Sequence, residues 1–129
     1  MIYADTDFFL ALLKETDGLK QSALQLRERY KGLLWTSPAT LIELLLFAAE
    51  SSMDPQKLLV DVLALADLRG GDAEVFLTAA GYMAVDHIGV FESLHAAFCK
   101  PEYPMISSDE VFDRLGMQRI PLGDDAKAT

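Results

Sequence analysis

The sequence predicts an α/β fold in which helices cover both faces of a parallel sheet. Short apolar segments of strand length alternate along the chain with one or two helical segments. Strands that alternate with helices in this way favour parallel pairing, because each crossover returns the chain to the same end of the sheet. The 129 residues are 51% hydrophobic, which fits one globular domain that is large enough to bury a core.

Capping and helix-breaking residues set the limits of the predicted elements. Glycines end the helices before them, and Ser37 is the expected cap of a helix with proline in its first turn. Asp54 and Asp72 are the expected starts of two later helices. Helices are predicted at about 7–14, 19–30, 38–49, 55–66, 73–85, 90–99 and 111–115, and strands near Ile2, at 33–36, near Leu68, at 104–107 and at 118–122.

The predicted domain spans residues 1–122 and is followed by a polar C-terminal tail at 123–129. No apolar run approaches the roughly 18 residues of a membrane span, and the first residues lack the features of a secretory signal, so we expect no membrane association. Cys99 is the only cysteine, which excludes an intrachain disulfide and favours a cytoplasmic location. Residues 58–66 are apolar almost all round and predict a buried or interface helix.

The net charge of −9 argues against tight nucleic-acid binding that depends on charge alone. Bound cations can offset part of that deficit in an enzyme that acts on phosphates. The chain has one cluster of basic residues. It could bind RNA or other phosphates at the edge of a site, or it could be the solvent-exposed face of a helix, and we favour the second interpretation. The members of this cluster are Lys20, Arg27, Arg29 and Lys31.

Asp5 and Asp109 each follow a predicted strand at a strand-to-helix turn. If the strands near Ile2 and Ile106 are neighbours where the strand order reverses, both carboxylates face one crevice. Each aspartate is equally understandable as the N-cap of the next helix. Ser107, just before Asp109, can donate a hydrogen bond to a carboxylate or to a bound water.

Glu43 and Glu92 are acids within mostly apolar helices. No helical neighbour of Glu43 is cationic, and burial of an unpaired carboxylate costs several kcal/mol, roughly. Glu43 therefore lies either on a narrow solvent-exposed strip of the helix or in a functional site that needs its negative charge. Glu92 has small residues on its face, and its alternative is a helix-start acid that the helix dipole favours.

Convergence of these four acids would predict a metal site. Four neighbouring carboxylates repel one another and raise each other's pKa unless a cation lies between them. Oxygen ligands suit Mg²⁺ or Mn²⁺, and the chemistry that follows is phosphodiester hydrolysis by metal-activated water.

Four short motifs occur in a fixed order that covers about residues 1–121. They are Asp5-Thr6-Asp7 after an apolar strand, Ser37-Pro38-x-x-Leu41-x-Glu43-Leu44, Glu92-Ser93-Leu94-His95-Ala96-Ala97 and Ser107-x-Asp109. Together they resemble the PIN domain, and most closely the VapC-type toxin ribonucleases. The resemblance implies a three-layer α/β/α sandwich with a parallel sheet of four to five strands. It also implies a Mg²⁺- or Mn²⁺-dependent endoribonuclease.

The resemblance assigns roles to individual residues and implies partners. Asp5, Glu43, Glu92 and Asp109 would be the catalytic metal ligands, with Asp7 and Ser107 as supporting polar groups. The partners would be an RNA substrate, a second copy of the chain and, for the toxin of a type II toxin–antitoxin pair, an antitoxin protein.

Glu92 departs from the family pattern, which usually has an aspartate at this place. The extra methylene displaces the carboxylate by more than about 1 Å, in a kind of site that tolerates little looseness. Asp86 is a possible substitute ligand, but the match over 93–97 favours Glu92. His95, three positions after Glu92, fits a buried supporting histidine better than a ligand, because the E-x-x-H pair of di-iron bundles needs a second copy.

Two other functions stay open. One is a non-catalytic PIN-like module that binds a protein partner, which the acidic balance, Glu92 and the apolar helix at 58–66 all suggest. The other, which we favour less, is a haloacid-dehalogenase-like phosphatase with Asp5 as nucleophile and Asp7 as acid–base group.

Overall fold

A five-stranded parallel sheet lies at the centre of the computed structural model, which describes residues 1–123. Its order is β3-β2-β1-β4-β5, so the order reverses beside β1, where the chain crosses from one half of the sheet to the other. The predicted parallel sheet is thereby confirmed. The strands are β1 (Ile2–Ala4), β2 (Leu34–Thr36), β3 (Asp67–Leu68), β4 (Pro104–Ser107) and β5 (Gln118–Pro121).

Seven helices in the described part of the chain cover the two faces of the sheet, which confirms the three-layer α/β/α sandwich. The first four contribute to the core on one face, and the last three contribute to the core on the other. Their limits agree with the predicted ones to within one or two residues. They are α1 (Thr6–Leu13), α2 (Lys20–Arg29), α3 (Pro38–Ala49), α4 (Pro55–Leu65), α5 (Ala73–Asp86), α6 (Val90–Cys99) and α7 (Val111–Arg114).

The central strand β1 is buried on both faces. Ile2 and Ala4 belong to the core beneath α1–α4, whereas Tyr3 belongs to the core beneath α5–α7. Tyr3 pairs in register with Trp35 of β2 and Met105 of β4, which face the same way. Since side chains alternate along a strand, this register directs Tyr3 and the following Asp5 towards α6.

Local capping follows the sequence in two helices and departs from it in a third. Asp54 accepts hydrogen bonds from backbone N–H groups of α4, and Asp72 does so for α5, as predicted. Ser37 occupies the N-cap position of α3 and is followed by Pro38, as predicted, but its side chain makes no capping hydrogen bond. Its hydroxyl instead lies 2.8 Å from the hydroxyl of Tyr3, a partner that only the folded chain provides.

The apolar helix α4 is not buried all round. Leu58 and Val62 lie in the core, but Val60 is 61% exposed and Leu63 is 47% exposed. The prediction of a fully buried helix is therefore wrong, and an interface stays a prediction.

The predicted tail at 123–129 falls largely outside the described residues, which end at Gly123. Within residues 1–123, no helix has the length and apolar character needed to cross a bilayer.

Candidate active site

A cavity of about 340 Å³ lies at the carboxyl ends of β1 and β4, where the strand order reverses. Asp5 and Asp109, which follow these strands, both face it, as the sequence predicts for neighbouring strands. Glu43 of α3 and Glu92 of α6 line it as well. The catalytic and ligand roles of these residues stay predictions. The full lining consists of Asp5, Thr6, Asp7, Leu10, Glu43, Glu92, His95, Ser108, Asp109 and Phe112.

Asp5 is buried, and its two carboxylate oxygens have different partners. Oδ1 accepts a 2.7 Å hydrogen bond from the Thr6 backbone N–H and so caps α1, and it also lies 3.1 Å from His95 Nε2. Oδ2 accepts a 2.7 Å bond from the Ser107 hydroxyl. Asp5 therefore caps α1 and also lines the cavity.

Glu43 has close partners from outside its own helix. Its Oε1 accepts a 2.6 Å hydrogen bond from the Thr6 hydroxyl and lies 2.5 Å from His95 Nε2. Burial raises the pKa of Glu43, but hydrogen bonding and charge from His95 and the hydrogen bond from Thr6 outweigh burial and leave that pKa below its ordinary value. Glu43 is thus held in the cavity wall rather than on a solvent-exposed strip of its helix.

His95 lies beneath these carboxylates with only 2% of its surface exposed. Its Nδ1 is 2.6 Å from the hydroxyl of Tyr3, and its Nε2 faces Asp5 and Glu43. Burial lowers the pKa of His95, but Tyr3, Asp5 and Glu43 more than offset it, and the pKa lies well above its usual value. The predicted buried, supporting histidine fits these contacts.

Asp7 is a polar group of the same cavity with one unsatisfied oxygen. Its Oδ2 accepts hydrogen bonds from the backbone N–H and the hydroxyl of Ser108. Its Oδ1 is buried and has no hydrogen-bond partner among the described residues. Burial and the charge of Asp5 raise the pKa of Asp7 to about 6, against the lowering effects of Ser108 and His95.

Glu92 and Asp109 lie in the wall of the cavity but keep local partners. The Glu92 carboxylate folds back against Gly89 at the start of α6, where any side chain at position 89 would collide with it. Asp109 Oδ1 accepts a 3.0 Å hydrogen bond from the Val111 backbone N–H, so it helps to cap α7. Asp86, the possible substitute for Glu92, is exposed at the end of α5 and does not line the cavity.

The structure brings three candidate ligand atoms especially close together. One atom from each of Asp5, Glu43 and His95 lies within 4.8 Å of the other two. Within the described residues, Glu92 and Asp109 do not belong to this group. The sequence thus placed four acids around one cavity, whereas the tightest group consists of two of them and a histidine.

The basic cluster lies away from this cavity. Arg27 and Lys31 line a larger one of about 520 Å³ beside Asp67, at the amino end of β3, and Arg27 also pairs with Glu28 at 3.6 Å. Among the described residues, neither lysine nor arginine lines the acidic cavity. The preferred interpretation of the cluster as a solvent-exposed helix face agrees with this placement better than phosphate binding at the edge of a site does.

Sequence reasoning missed the residues that hold the site together. Tyr3 and Asp5 are two positions apart, and the alternation of side chains along a strand could have placed both near one helix. Thr6 lies within the Asp5-Thr6-Asp7 motif, but its bond to Glu43 joins α1 to α3 across 37 positions. No local pattern reveals a contact of that kind.

The donor set of this cavity fits a divalent cation. Two carboxylates and one imidazole are groups that bind such ions in proteins, and the buried Asp7 Oδ1 is a further oxygen without a partner in the described chain. Without a cation, ionised carboxylates so close together repel each other.

Comparisons with known proteins give the family and related structures. A family model described as the PIN domain matches residues 2–117. A comparison with curated proteins found no match.

Three solved structures share the architecture at low sequence identity. VapBC2 from Rickettsia felis, bound to a DNA fragment from their promoter, has a TM-score of 0.73 at 16% identity, over 95% of this chain and 99% of that chain. VapC20 from Mycobacterium tuberculosis, a toxin that cleaves the sarcin-ricin loop, has a TM-score of 0.73 at 17% identity, over 91% and 96%. FitAcB from Neisseria gonorrhoeae has a TM-score of 0.70 at 18% identity, over 93% and 96%. At sequence identities this low, the structural similarity shows only that these proteins share a fold with this chain.

Proposed function

Because this chain belongs to the PIN domain family, we propose that it is a metal-dependent endoribonuclease and the toxin of a type II toxin–antitoxin pair. The observation that carries the proposal is the acidic cavity at the reversal of strand order. Asp5 and Glu43 meet there, with Asp7, Glu92 and Asp109 in the same wall. An acidic cavity without lysine or arginine in its described lining suits a phosphate substrate only when cations neutralise it.

In this proposal, Asp5, Glu43, Glu92 and Asp109 hold Mg²⁺ or Mn²⁺, and Asp7 and Ser107 support them. A divalent cation in such a site lowers the pKa of a bound water and stabilises the charge that develops on the phosphate. The water would lose a proton as its oxygen forms a bond to phosphorus, the bond from phosphorus to one ribose oxygen would break, and that ribose oxygen would take up a proton.

The side chains that hold the acids make the geometry of the proposed site rigid. The Ser107 hydroxyl fixes one oxygen of Asp5, the Thr6 hydroxyl fixes one oxygen of Glu43, and Ser108 fixes one oxygen of Asp7. Ligands that are oriented in advance bind a cation without further loss of conformational entropy.

We propose an antitoxin protein and a second copy of this chain as partners, with RNA as substrate in the cytoplasm. The proteins of the related structures include toxin–antitoxin complexes, which supports the first partner. Exposed apolar side chains on three helices support protein interfaces: Ile42, Leu45 and Leu46 on α3, Val60 and Leu63 on α4, and Phe76, Leu77, Met83 and Val85 on α5.

The test is cleavage of RNA by the purified chain in the presence of Mn²⁺. We expect a chelator to abolish cleavage, and we expect Asp5→Asn and Glu43→Gln to reduce it by at least about a hundredfold. Glu50→Gln, at the exposed end of the same helix as Glu43, is the matched control and should cleave like the wild type. Cleavage that survives both the chelator and Asp5→Asn would refute the proposal.

A non-catalytic module that binds a protein partner is the second candidate. It is favoured by the position of the Glu92 carboxylate, which lies against its own helix rather than with Asp5 and Glu43. A chain of this kind would show no RNA cleavage and no rise in melting temperature with Mn²⁺. The phosphatase alternative requires a lysine beside the nucleophile, and none lines this cavity in the described chain, so we do not propose it.

A further inference from the structure

We propose that His95 Nε2 is itself a metal ligand beside the carboxylates of Asp5 and Glu43, so that the site prefers a transition cation such as Mn²⁺ to Mg²⁺. This inference rests on the proposed metal-dependent function and names the class of ion. It departs from the oxygen-only ligand set that the acids alone imply.

The imidazole of His95 is close enough to both carboxylates to share a cation with them. His95 Nε2 lies 3.1 Å from Asp5 Oδ1 and 2.5 Å from Glu43 Oε1. Two atoms that bind one ion at right angles, each at about 2.1 Å, are about 3 Å apart. The His95–Asp5 distance already has this value, and Glu43, whose side chain is 27% exposed, has room to move outward.

Buried hydroxyl groups hold the other ring nitrogen of His95 and so orient the ring. The hydroxyl of Tyr3 lies 2.6 Å from His95 Nδ1 and 2.8 Å from the hydroxyl of Ser37, and all three residues are buried. In the chain without a cation, Nε2–H donates towards the carboxylates. A cation that binds there takes the place of this proton, and with Nδ1–H donating to Tyr3, the Nε2 lone pair is then directed at the cation. Histidines that bind metals are oriented in this way by a partner at the other ring nitrogen.

Other acidic ligands are scarce near this point in the described chain. Glu92 and Asp109 lie outside the group of ligand atoms that come within 4.8 Å of one another among the described residues. An ion held by Asp5 and Glu43 therefore has the His95 nitrogen within reach, beside the hydroxyl oxygens of Thr6 and Ser107. The unpartnered, buried Oδ1 of Asp7 is an independent sign that the same cavity accepts a ligand.

The chemistry of the donors determines the preference among ions. Mg²⁺ binds oxygen ligands and loses its waters reluctantly, whereas imidazole is a good ligand for transition cations. A site with one imidazole should therefore distinguish Mn²⁺ from Mg²⁺ more sharply than a site of carboxylates would.

The experiment measures binding and ligand identity on the full chain without RNA. Calorimetric titration with Mn²⁺ and with Mg²⁺ gives the two affinities, and pulsed electron paramagnetic resonance of the Mn²⁺-loaded protein detects coupling to an imidazole nitrogen. His95→Gln removes the proposed ligand. His87→Asn is the matched control, because His87 is the other histidine, is exposed, and has a left-handed backbone that asparagine tolerates.

We expect the wild type and His87→Asn to show nitrogen coupling and to bind Mn²⁺ at least about tenfold more tightly than Mg²⁺. In His95→Gln the coupling should disappear and Mn²⁺ binding should weaken by at least about tenfold, with a smaller change for Mg²⁺. Loss of the coupling only in His95→Gln supports the proposal.

Two results would overturn it. Mn²⁺-loaded wild type without nitrogen coupling excludes His95 as a ligand even if the variant does not fold. Tighter Mn²⁺ binding by His95→Gln shows that His95 instead competes with the ion for Asp5 and Glu43. If the wild type still cleaves RNA with Mn²⁺ after either of these results, the proposed nuclease function stands without His95 as a ligand. If the wild type binds neither Mn²⁺ nor Mg²⁺, both proposals fail.

Discussion

Asp5 both caps α1 and contributes negative charge to the cavity, and a substitution can remove one of these contributions without the other. Its Oδ1 caps α1 and faces His95, and its Oδ2 accepts from Ser107. Asparagine keeps an oxygen acceptor for the cap and removes the charge. Asp5→Asn therefore tests the charge of the site with less damage to the helix than Asp5→Ala, which would also cost about 1 kcal/mol at the cap.

Asp7 makes the metal-free protein sensitive to pH. Its pKa rises from 3.8 to about 6 on folding because of burial and the neighbouring charge of Asp5, while Ser108 and His95 oppose the rise. The stability that protonated Asp7 contributes is complete below 3.8 and is lost as the pH rises through about 6. The difference corresponds to about 3 kcal/mol at most.

We therefore expect Asp7→Asn to be more stable than the wild type at pH 7.5 in the presence of a chelator, with a much smaller gain at pH 5. Urea unfolding at the two pH values measures this difference. The raised pKa of His95 acts in the same direction, so part of the pH dependence should persist in the variant. An equal loss of stability at both pH values would contradict the prediction.

The candidate site shows which side-chain positions the sequence could predict. Asp5, Glu43, Glu92 and Asp109 stood out because each lies in apolar surroundings or after a strand, and all four line the cavity. The closest partner of Glu43 is His95, which is 52 positions away on another helix. That contact depends on how α3 and α6 meet, and helical spacing within one element cannot show it.

At the scale of elements, α4 depends on the cap at its first turn. Asp54 accepts hydrogen bonds from the backbone N–H groups of Gln56 and Lys57. We expect Asp54→Ala to lower the free energy of unfolding by about 1 kcal/mol, because those groups lose their partner. Urea unfolding of Asp54→Ala beside Gln56→Ala, which leaves the cap in place, measures the effect. An equal loss in both variants would show that the cap is not its cause.

The elements could be predicted well because their signals are local. Asp54 and Asp72 cap their helices as predicted, and β1, β2 and β4 are mostly apolar runs of strand length. The two exceptions have tertiary causes. The Ser37 hydroxyl makes no capping bond to α3, because it lies against the hydroxyl of Tyr3. Helix α4 exposes Val60 and Leu63, because only one of its faces meets the core.

At the scale of the whole molecule, the net charge of −9 should set the salt dependence of RNA cleavage. A basic protein with 6–10 phosphate contacts loses about 10³–10⁵ in affinity between 50 and 200 mM salt. We expect the KM of this chain for RNA, at saturating Mn²⁺, to change by less than about tenfold over that range, because in the proposed function bound cations rather than lysines would meet the phosphates. A thousandfold rise in KM would contradict this expectation.

The order of the strands has a consequence for the protein during its own synthesis. β1 leaves the ribosome first, but its neighbour β4 follows about a hundred residues later and brings Ser107, which is 102 positions from Asp5. At typical rates of about 5–20 residues per second, the nascent chain spends several seconds with β1 exposed on the side where β4 will insert. Throughout that interval the pocket lacks one wall, so if the chain cleaves RNA as proposed, we expect the activity to appear only after β4 has been synthesised.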